Sequence, residues 1–65
     1  MSKSFNREQA IRYMLDGEIV MDGDGYIWRY TSDHCFHAFD ENWDDMGIEL
    51  VRTGLNGWRI SEVKP

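Results

Sequence analysis

The sequence contains almost no cysteine and no long hydrophobic run. Its 65 residues include one cysteine, Cys35, which excludes an internal disulfide and fits a reducing compartment. No apolar stretch approaches the roughly 20 residues that span a bilayer. The opening residues, Met1 to Ser4, do not resemble a signal peptide. We therefore expect a cytoplasmic protein that does not bind membranes.

Basic residues are missing from one long segment. Between Arg29 and Arg52 there are six acidic residues and no lysine or arginine, whereas the rest of the chain carries six acids and seven bases. The net charge is −5, so the phosphates of DNA, RNA or anionic lipid would repel the protein. This argues against direct binding to nucleic acid and favours a partner protein with a basic surface.

Aromatic residues, in contrast, are abundant. The chain has three Trp, three Tyr and three Phe, and each buried ring removes roughly 150–250 Å² from water. A chain of this length forms a single domain, residues 1–65, and buries only about 60% of its unfolded surface. We expect these large rings to supply the core.

The first predicted element is a helix over residues 6–16. Asn6 is a suitable N-cap, and Gln9 three residues later completes a capping box. Gly17 is placed to end the helix in the left-handed conformation. The face that we expect to pack on the core contains Ala10, Ile11, Met14 and Leu15.

After the helix the hydrophobic period changes to two, which predicts strands. The predicted strands are residues 18–22, 26–31, 35–39, 48–55 and 58–63. The fold class is therefore α+β: one N-terminal helix packed on a small twisted antiparallel sheet of about five strands.

Two turns set the predicted register of these strands. A turn at Asp24-Gly25 would place Ile19 and Met21 on the same face as Trp28 and Tyr30. A second turn at Asn56-Gly57 would pair residues 48–55 with residues 58–63. That register places Leu55 against Trp58 and Thr53 against Ile60.

The acidic segment 40–46 has little apolar periodicity, so we expect a loop or a single helical turn there. Trp43 lies in its middle, flanked as Asp-Glu-Asn-Trp-Asp-Asp. Its ring could pin a solvated loop to the sheet, or it could anchor an interface while the carboxylates steer a basic partner. The predicted partner-binding residues are Asp40, Glu41, Trp43, Asp44, Asp45 and Glu49.

Two other constellations favour chemistry only weakly. Asp33, Cys35 and His37 would share one side of a strand, but a zinc site or a Cys-His catalytic pair needs further partners that the chain lacks. The segment from Asp22 to Gly25 resembles the start of a calcium loop, but Tyr26 stands where that loop needs another ligand. We expect a hairpin turn, no metal or other cofactor, and no enzyme.

Alternating rings on the predicted second strand leave an alternative open. Tyr26, Trp28 and Tyr30 could form the core. They could also line a small-ligand pocket in which an arginine meets an anionic group. The residues predicted for that alternative ligand site are Trp28, Arg29 and Tyr30.

The N-terminal third, from Phe5 to Val20, resembles small proteins of bacteriophages and prophages. Many of these open with a helix of the form (E/Q)A(I/L)xx(M/L)L(D/E)G followed by a strand, as does this chain. The segment is similar to the Thoeris anti-defence 2-like group, and Gly57-Trp-Arg-Ile60 echoes that group's terminal Trp segment. Glu18 and Asp22 replace the basic residues that follow the helix in that group, so its nucleotide site is not transferred. The resemblance implies an accessory phage protein that acts in the bacterial host cell.

Charge and resemblance together predict an inhibitory binding protein. Small acidic phage proteins, such as many anti-CRISPR proteins and uracil-DNA glycosylase inhibitors, occupy the basic clefts of nucleic-acid enzymes, with carboxylates in place of DNA phosphates. We expect this chain to dock in the same way on a host protein. The alternative is a nucleotide-sequestering domain. A chain this small and aromatic could also bury a sheet face or edge in a homodimer.

Overall fold

The computed structural model describes residues 4–62 and shows one helix packed on a four-stranded antiparallel sheet. The elements are α1 (Arg7–Leu15), β1 (Val20–Met21), β2 (Ile27–Tyr30), β3 (Phe36–Phe39), a 3-10 helix (Leu50–Arg52) and β4 (Arg59–Ile60). The strand order is β3-β2-β1-β4. The predicted α+β class is confirmed, with four strands where about five were expected.

The helix begins as predicted. The Asn6 carboxamide oxygen accepts from the backbone N–H of Gln9 at 2.8 Å, and the Gln9 side chain accepts from the N–H of Asn6 at 3.2 Å. Gly17 follows the helix with a φ of 93°, a conformation that glycine adopts without steric cost. The capping box and the terminator are both confirmed.

The buried face of α1 is narrower than predicted. Ala10 and Met14 are buried, and Ile11 is half-buried, but Leu15 is 56% exposed. Leu15 is one position on from Met14, so it lies about 100° further round the helix and faces solvent. The prediction that Leu15 packs on the core was wrong.

The first hairpin forms, but its register differs by one residue from the prediction. Val20 pairs with Trp28 and Met21 pairs with Ile27, which leaves a three-residue connection in place of a two-residue turn. The Asp22 carboxylate explains the extra residue, because its Oδ1 accepts from the N–H groups of Asp24 and Tyr26. A one-residue shift exchanges the two faces of a strand. Val20, not Ile19 or Met21, therefore shares a face with Trp28.

The second predicted hairpin is absent from the described residues. β4 pairs with β1, with Val20 opposite Ile60, and residues 48–55 contain the 3-10 helix and no strand. Leu55 is 64% exposed and does not pair with Trp58, which forms an antiparallel bridge with Phe5. The predicted pair of Thr53 and Ile60 does not form either. The last residue of the predicted strand, Val63, lies outside the described residues.

One face of the sheet forms the core. Trp28 and Trp58 are both fully buried, and their ring centroids lie 5.9 Å apart. Both helices pack against this face, α1 through Met14 and the 3-10 helix through Leu50. The other core residues are Ala10, Val20 and Ala38. Tyr26 and Tyr30 pack around the cluster, so the interpretation of these alternating rings as core is confirmed.

We call the opposite side of the sheet the second face. Side chains alternate along a strand, so the second face presents Met21, Ile27, Arg29, His37, Phe39 and Arg59. Ile27 in its centre is only 2% exposed, and the others are half-buried. Within residues 4–62, no helix has the length and apolar character needed to cross a membrane.

Candidate functional site

The acidic segment folds into a tight turn at the end of β3. We call residues 40–46 the acidic turn. Phe39 and Asp45 form an antiparallel bridge across it, and the N–H of Asp40 donates to the carbonyl of Asp44 at 3.1 Å. This confirms the expected loop and presents its side chains from a closed backbone ring.

Asp40 serves the turn itself. Its Oδ1 accepts from the N–H of Asn42 at 2.8 Å and from that of Asp44 at 3.0 Å. An aspartate that binds backbone N–H groups a few residues ahead is a standard way to hold such a turn. The Asp40 carboxylate therefore has a structural role as well as a charge.

Trp43 leans back on the sheet and keeps part of its ring in solvent. Its φ of 63° is left-handed, an uncommon conformation for a bulky residue. Its ring centroid lies 5.6 Å from that of Phe39, at a tilt of 47°. Trp43 is half-buried. Of the two interpretations of Trp43, the contact with Phe39 favours the one in which the ring packs on the sheet, and part of the ring stays exposed to solvent.

Asp45 ties the acidic turn to the strand beside it. Its Oδ2 lies 2.7 Å from Nδ1 of His37, and the other ring nitrogen, Nε2, lies 2.8 Å from Oδ2 of Asp33. The imidazole thus lies between two carboxylates from the two ends of β3. We call Asp33, His37 and Asp45 the His37 bridge.

His37 and each of the two carboxylates stabilise one another's charge, although the carboxylates repel each other. Hydrogen bonds from Thr31 and His37 lower the pKa of Asp33 to about 2. The contact with Asp33, with a smaller effect of Asp45, raises the pKa of His37 above its ordinary value. The backbone N–H of Gly47 is the main cause of a lowered pKa at Asp45, to which His37 adds. The geometry therefore favours an imidazolium between two ionised carboxylates.

The other carboxylates of the segment have no cationic partner within residues 4–62. No Lys, Arg or His nitrogen lies within 4 Å of Asp40, Glu41 or Asp44 in that part of the chain. Glu41 and Asp44 are exposed, and their carboxylates accept no hydrogen bond from a described residue. These two side chains offer negative charge to an outside molecule.

Glu49, the last predicted docking residue, lies apart from the acidic turn. It precedes the 3-10 helix and contacts Arg52 at 3.6 Å, with both side chains at least 70% exposed. Such exposed pairs contribute little. Of the six predicted docking residues, the structure brings five into the acidic turn and leaves Glu49 outside it.

The predicted trio of Asp33, Cys35 and His37 is only partly brought together. Asp33 meets His37, but Cys35 is exposed and contributes its backbone N–H, which donates to Asp33. Among the described residues no group of three His, Cys, Asp or Glu side chains has the geometry of a metal site. The second side-chain partner of His37 is Asp45, and not the Cys35 thiol of the predicted trio.

Asp22 is likewise engaged by the protein. It is 3% exposed, and its Oδ2 accepts from Nε1 of Trp28 at 2.8 Å. Its other oxygen holds the hairpin turn, as described above. The carboxylate is thus fully used within the fold, which confirms the hairpin turn.

The residues of the alternative ligand site point in different directions. Trp28 is fully buried in the core, and Arg29 lies on the second face. Tyr30 is half-buried on the core side, with its hydroxyl 3.0 Å from Nδ1 of His34. The three side chains do not line a common pocket.

Asp45 as a partner of His37 could not be found from the sequence. The pair is eight residues apart, and the contact depends on the reversal of the chain within the acidic turn. The only available signal was the run of turn-forming residues after Phe39, which indicates a reversal without fixing its register.

Comparison of the chain with protein-family models, with curated proteins and with solved structures gives no match.

Proposed function

We propose that the acidic turn is a docking surface for the basic, nucleic-acid-binding site of another protein, and that the chain acts as an inhibitor of that protein. One observation carries the proposal: Glu41 and Asp44 are exposed on a closed turn, with no cation of the described chain beside them. Charged groups that stay unpaired in the free protein can steer and bind an oppositely charged partner.

The surroundings of these carboxylates support docking over simple solvation. The turn is closed by backbone hydrogen bonds and by Asp40, and it is fixed to β3 through Asp45. Ordering entropy is therefore already lost before binding. Beside the charges, the half-buried ring of Trp43 adds a large apolar contact of the kind that dominates many interfaces.

The proposed setting is a bacterial host cell, with a phage-encoded chain and a defence or nucleic-acid enzyme as its target. The charge pattern and the resemblance of the N-terminal segment support this setting. In such a complex the carboxylates of the acidic turn take the place of backbone phosphates. Binding is the whole activity in this proposal, and no step of chemistry is required.

The double variant E41Q/D44N tests the proposal. Both changes keep the size of the side chain and remove its charge, and neither removes a hydrogen bond that holds the turn. We expect capture of basic bacterial proteins by the immobilised chain to weaken about tenfold, because two exposed charge contacts are lost. Added duplex DNA should release the captured protein from the wild-type chain.

The matched control is E18Q/D24N. These two acids are also exposed, and their replacement changes the net charge equally. The control should bind as the wild type does. Equal capture by the wild type and by E41Q/D44N, or capture that DNA does not compete with, would rule the proposal out.

A further inference from the structure

The second face carries opposite charges at its two ends. The strand register aligns Phe39, Ile27, Met21 and Arg59 in one row across the sheet. The acidic turn adjoins the Phe39 end of this row, since Asp45 bridges to Phe39 and the Trp43 ring packs on it. Arg59 occupies the other end, and its guanidinium reaches back to Met21.

Arg59 has no anionic partner in the described part of the chain. Its Nη2 donates to the sulfur of Met21 at 3.1 Å, which is the one hydrogen bond of its side chain within residues 4–62. A thioether sulfur is a weak acceptor, and a half-buried guanidinium normally gains its stabilisation from a carboxylate or from several oxygens. The cation is thus available to an anion that approaches the second face.

This row is complementary to itself. A twofold axis parallel to the strands, placed over the middle of the row, reverses the order of the strands in the second copy. Arg59 of each copy then faces the acidic turn of the other, and Met21 faces Ile27. A surface that matches its own rotated image is what a closed twofold dimer requires.

We propose that two copies of this chain associate through their second faces, with Arg59 of each copy against Glu41 and Asp44 of the other. Between the charges, the half-buried apolar side chains of Phe39 and Met21 flank Ile27, which is already buried in the single copy. These two side chains supply the centre of the contact, with the ion pairs at its rim. Both helices pack on the core side and leave the second face free for this contact. The proposal does not depend on a foreign partner.

The size of the molecule makes this a weak dimer. Its extents are 28 × 22 × 21 Å, so one face is smaller than the roughly 800 Å² per partner of a standard stable interface. We expect a dissociation constant between about 1 μM and 1 mM. In this arrangement a basic foreign protein competes with Arg59 for the acidic turn, so the dimer is a resting form of the docking surface.

Charge exchange tests the proposed dimer by analytical ultracentrifugation of the purified chain alone. R59E and E41K/D44K should each raise the dissociation constant about tenfold, since each removes the ion pairs from both ends of the interface. Combined in one chain, the three changes restore opposite charges across the interface, and the dissociation constant should return to near that of the wild type.

Net charge provides the control. E41K/D44K moves the net charge from −5 to −1. This smaller net charge reduces the general repulsion between copies and by itself would favour association. Its weaker association therefore reports a specific contact. Two controls match these net charges with changes at exposed positions outside the second face: E18K/D24K matches E41K/D44K, and R12E matches R59E. Both should dimerise as the wild type does, apart from the general effect of charge.

A second measurement uses the wild type alone, so it does not depend on whether the variants fold. In a mixed-isotope NMR sample of the wild type, the Trp43 ring and the Arg59 side chain of different copies should show a contact. Within one copy the strand positions of Phe39, on which Trp43 packs, and of Arg59 are three strands apart, about 14 Å at the usual strand spacing. The mixed-isotope sample reports only contacts between different copies, so a contact within one copy does not interfere. A monomer at about 1 mM, no such contact, or equal behaviour of R59E and R12E overturns the proposal. None of these results bears on docking to a foreign protein.

Discussion

At the scale of single residues, His37 holds its two carboxylates only while both of its ring nitrogens carry protons. A carboxylate oxygen can only accept a hydrogen bond. In a neutral imidazole, one ring nitrogen has no proton and directs a lone pair at one of the two carboxylates. Asp33 and Asp45 favour the charged ring, whereas partial burial of the imidazole opposes it. The net effect is the raised pKa of His37.

The sign of the resulting pH dependence follows from these directions. A raised folded-state pKa means that the stabilisation by His37 is complete below its unfolded value of about 6.5 and is lost as the pH rises through the folded pKa. The lowered pKa values of Asp33 and Asp45 make their contribution complete above about pH 4, and it is lost in stronger acid. The His37 bridge is therefore most stabilising between about pH 4 and 6.5.

The variant H37Q tests this pH dependence. The difference in free energy of unfolding between wild type and H37Q should be largest near pH 5 and should shrink as the pH rises above about 6.5. An NMR titration should show the amides of Asp44 and Gly47 shifting with the midpoint of the His37 ring. H34Q, at the other histidine, should leave that midpoint unchanged. A His37 midpoint at or below 6.5 would contradict the bridge.

At the scale of elements, the correct predictions concern structure that residues close together in the sequence determine. The capping box of Asn6 and Gln9 and the terminator Gly17 act within four residues of the helix, and all three are confirmed. The first hairpin has a local signal too. Its register was still wrong, because the Asp22 carboxylate adds a residue to the turn through contacts that periodicity does not reveal.

The second hairpin failed because contacts distant in sequence decide the structure of residues 48–55. Gly57 does take the left-handed conformation expected for Asn56-Gly57, with a φ of 88°. Trp58, however, pairs with Phe5, and the Arg7 guanidinium lies 3.2–3.4 Å from the carbonyl oxygens of residues 50, 51 and 53. A cation at the end of a 3-10 helix satisfies carbonyls that a strand would have used for pairing.

The variant R7M tests this role of Arg7. It keeps an unbranched side chain of good helix propensity and removes the donor to the three carbonyls. We expect amide hydrogen exchange at Arg52 and Thr53, whose N–H groups close the 3-10 helix, to accelerate about tenfold, since a charge-assisted contact contributes about 1.5 kcal/mol.

The control for R7M is R12M. Arg12 lies on the exposed side of α1, and its one ion pair in the described part of the chain is with Glu8, at 3.5 Å. Its replacement should therefore leave exchange in the 3-10 helix unchanged. Equal exchange at Arg52 and Thr53 in R7M and in the wild type would show that other packing holds the segment.

At the scale of the whole molecule, the stability depends on very few large side chains. Trp58 joins three distant parts of the chain: its backbone pairs with Phe5, its Nε1 donates to the carbonyl of Gly54 at 3.0 Å, and its ring packs on Trp28. At about 0.05–0.15 kcal/mol per residue, a chain of this length has a total stability of roughly 3–10 kcal/mol. Truncation of a buried Trp to Ala costs about 3–5 kcal/mol.

We therefore expect W58A to lose most or all of its cooperative unfolding transition in urea, followed by far-UV circular dichroism. W58F keeps most of the buried ring but leaves the Gly54 carbonyl without its donor, so its midpoint should fall by an intermediate amount. W43A is the matched control, because Trp43 is half-buried and packs on a single aromatic ring among residues 4–62, that of Phe39. It should cost less than W58A while it weakens partner binding. Equal losses in W43A and W58A would mean that the acidic turn is part of the folding core, and that its carboxylates are held there by the fold and not for a partner.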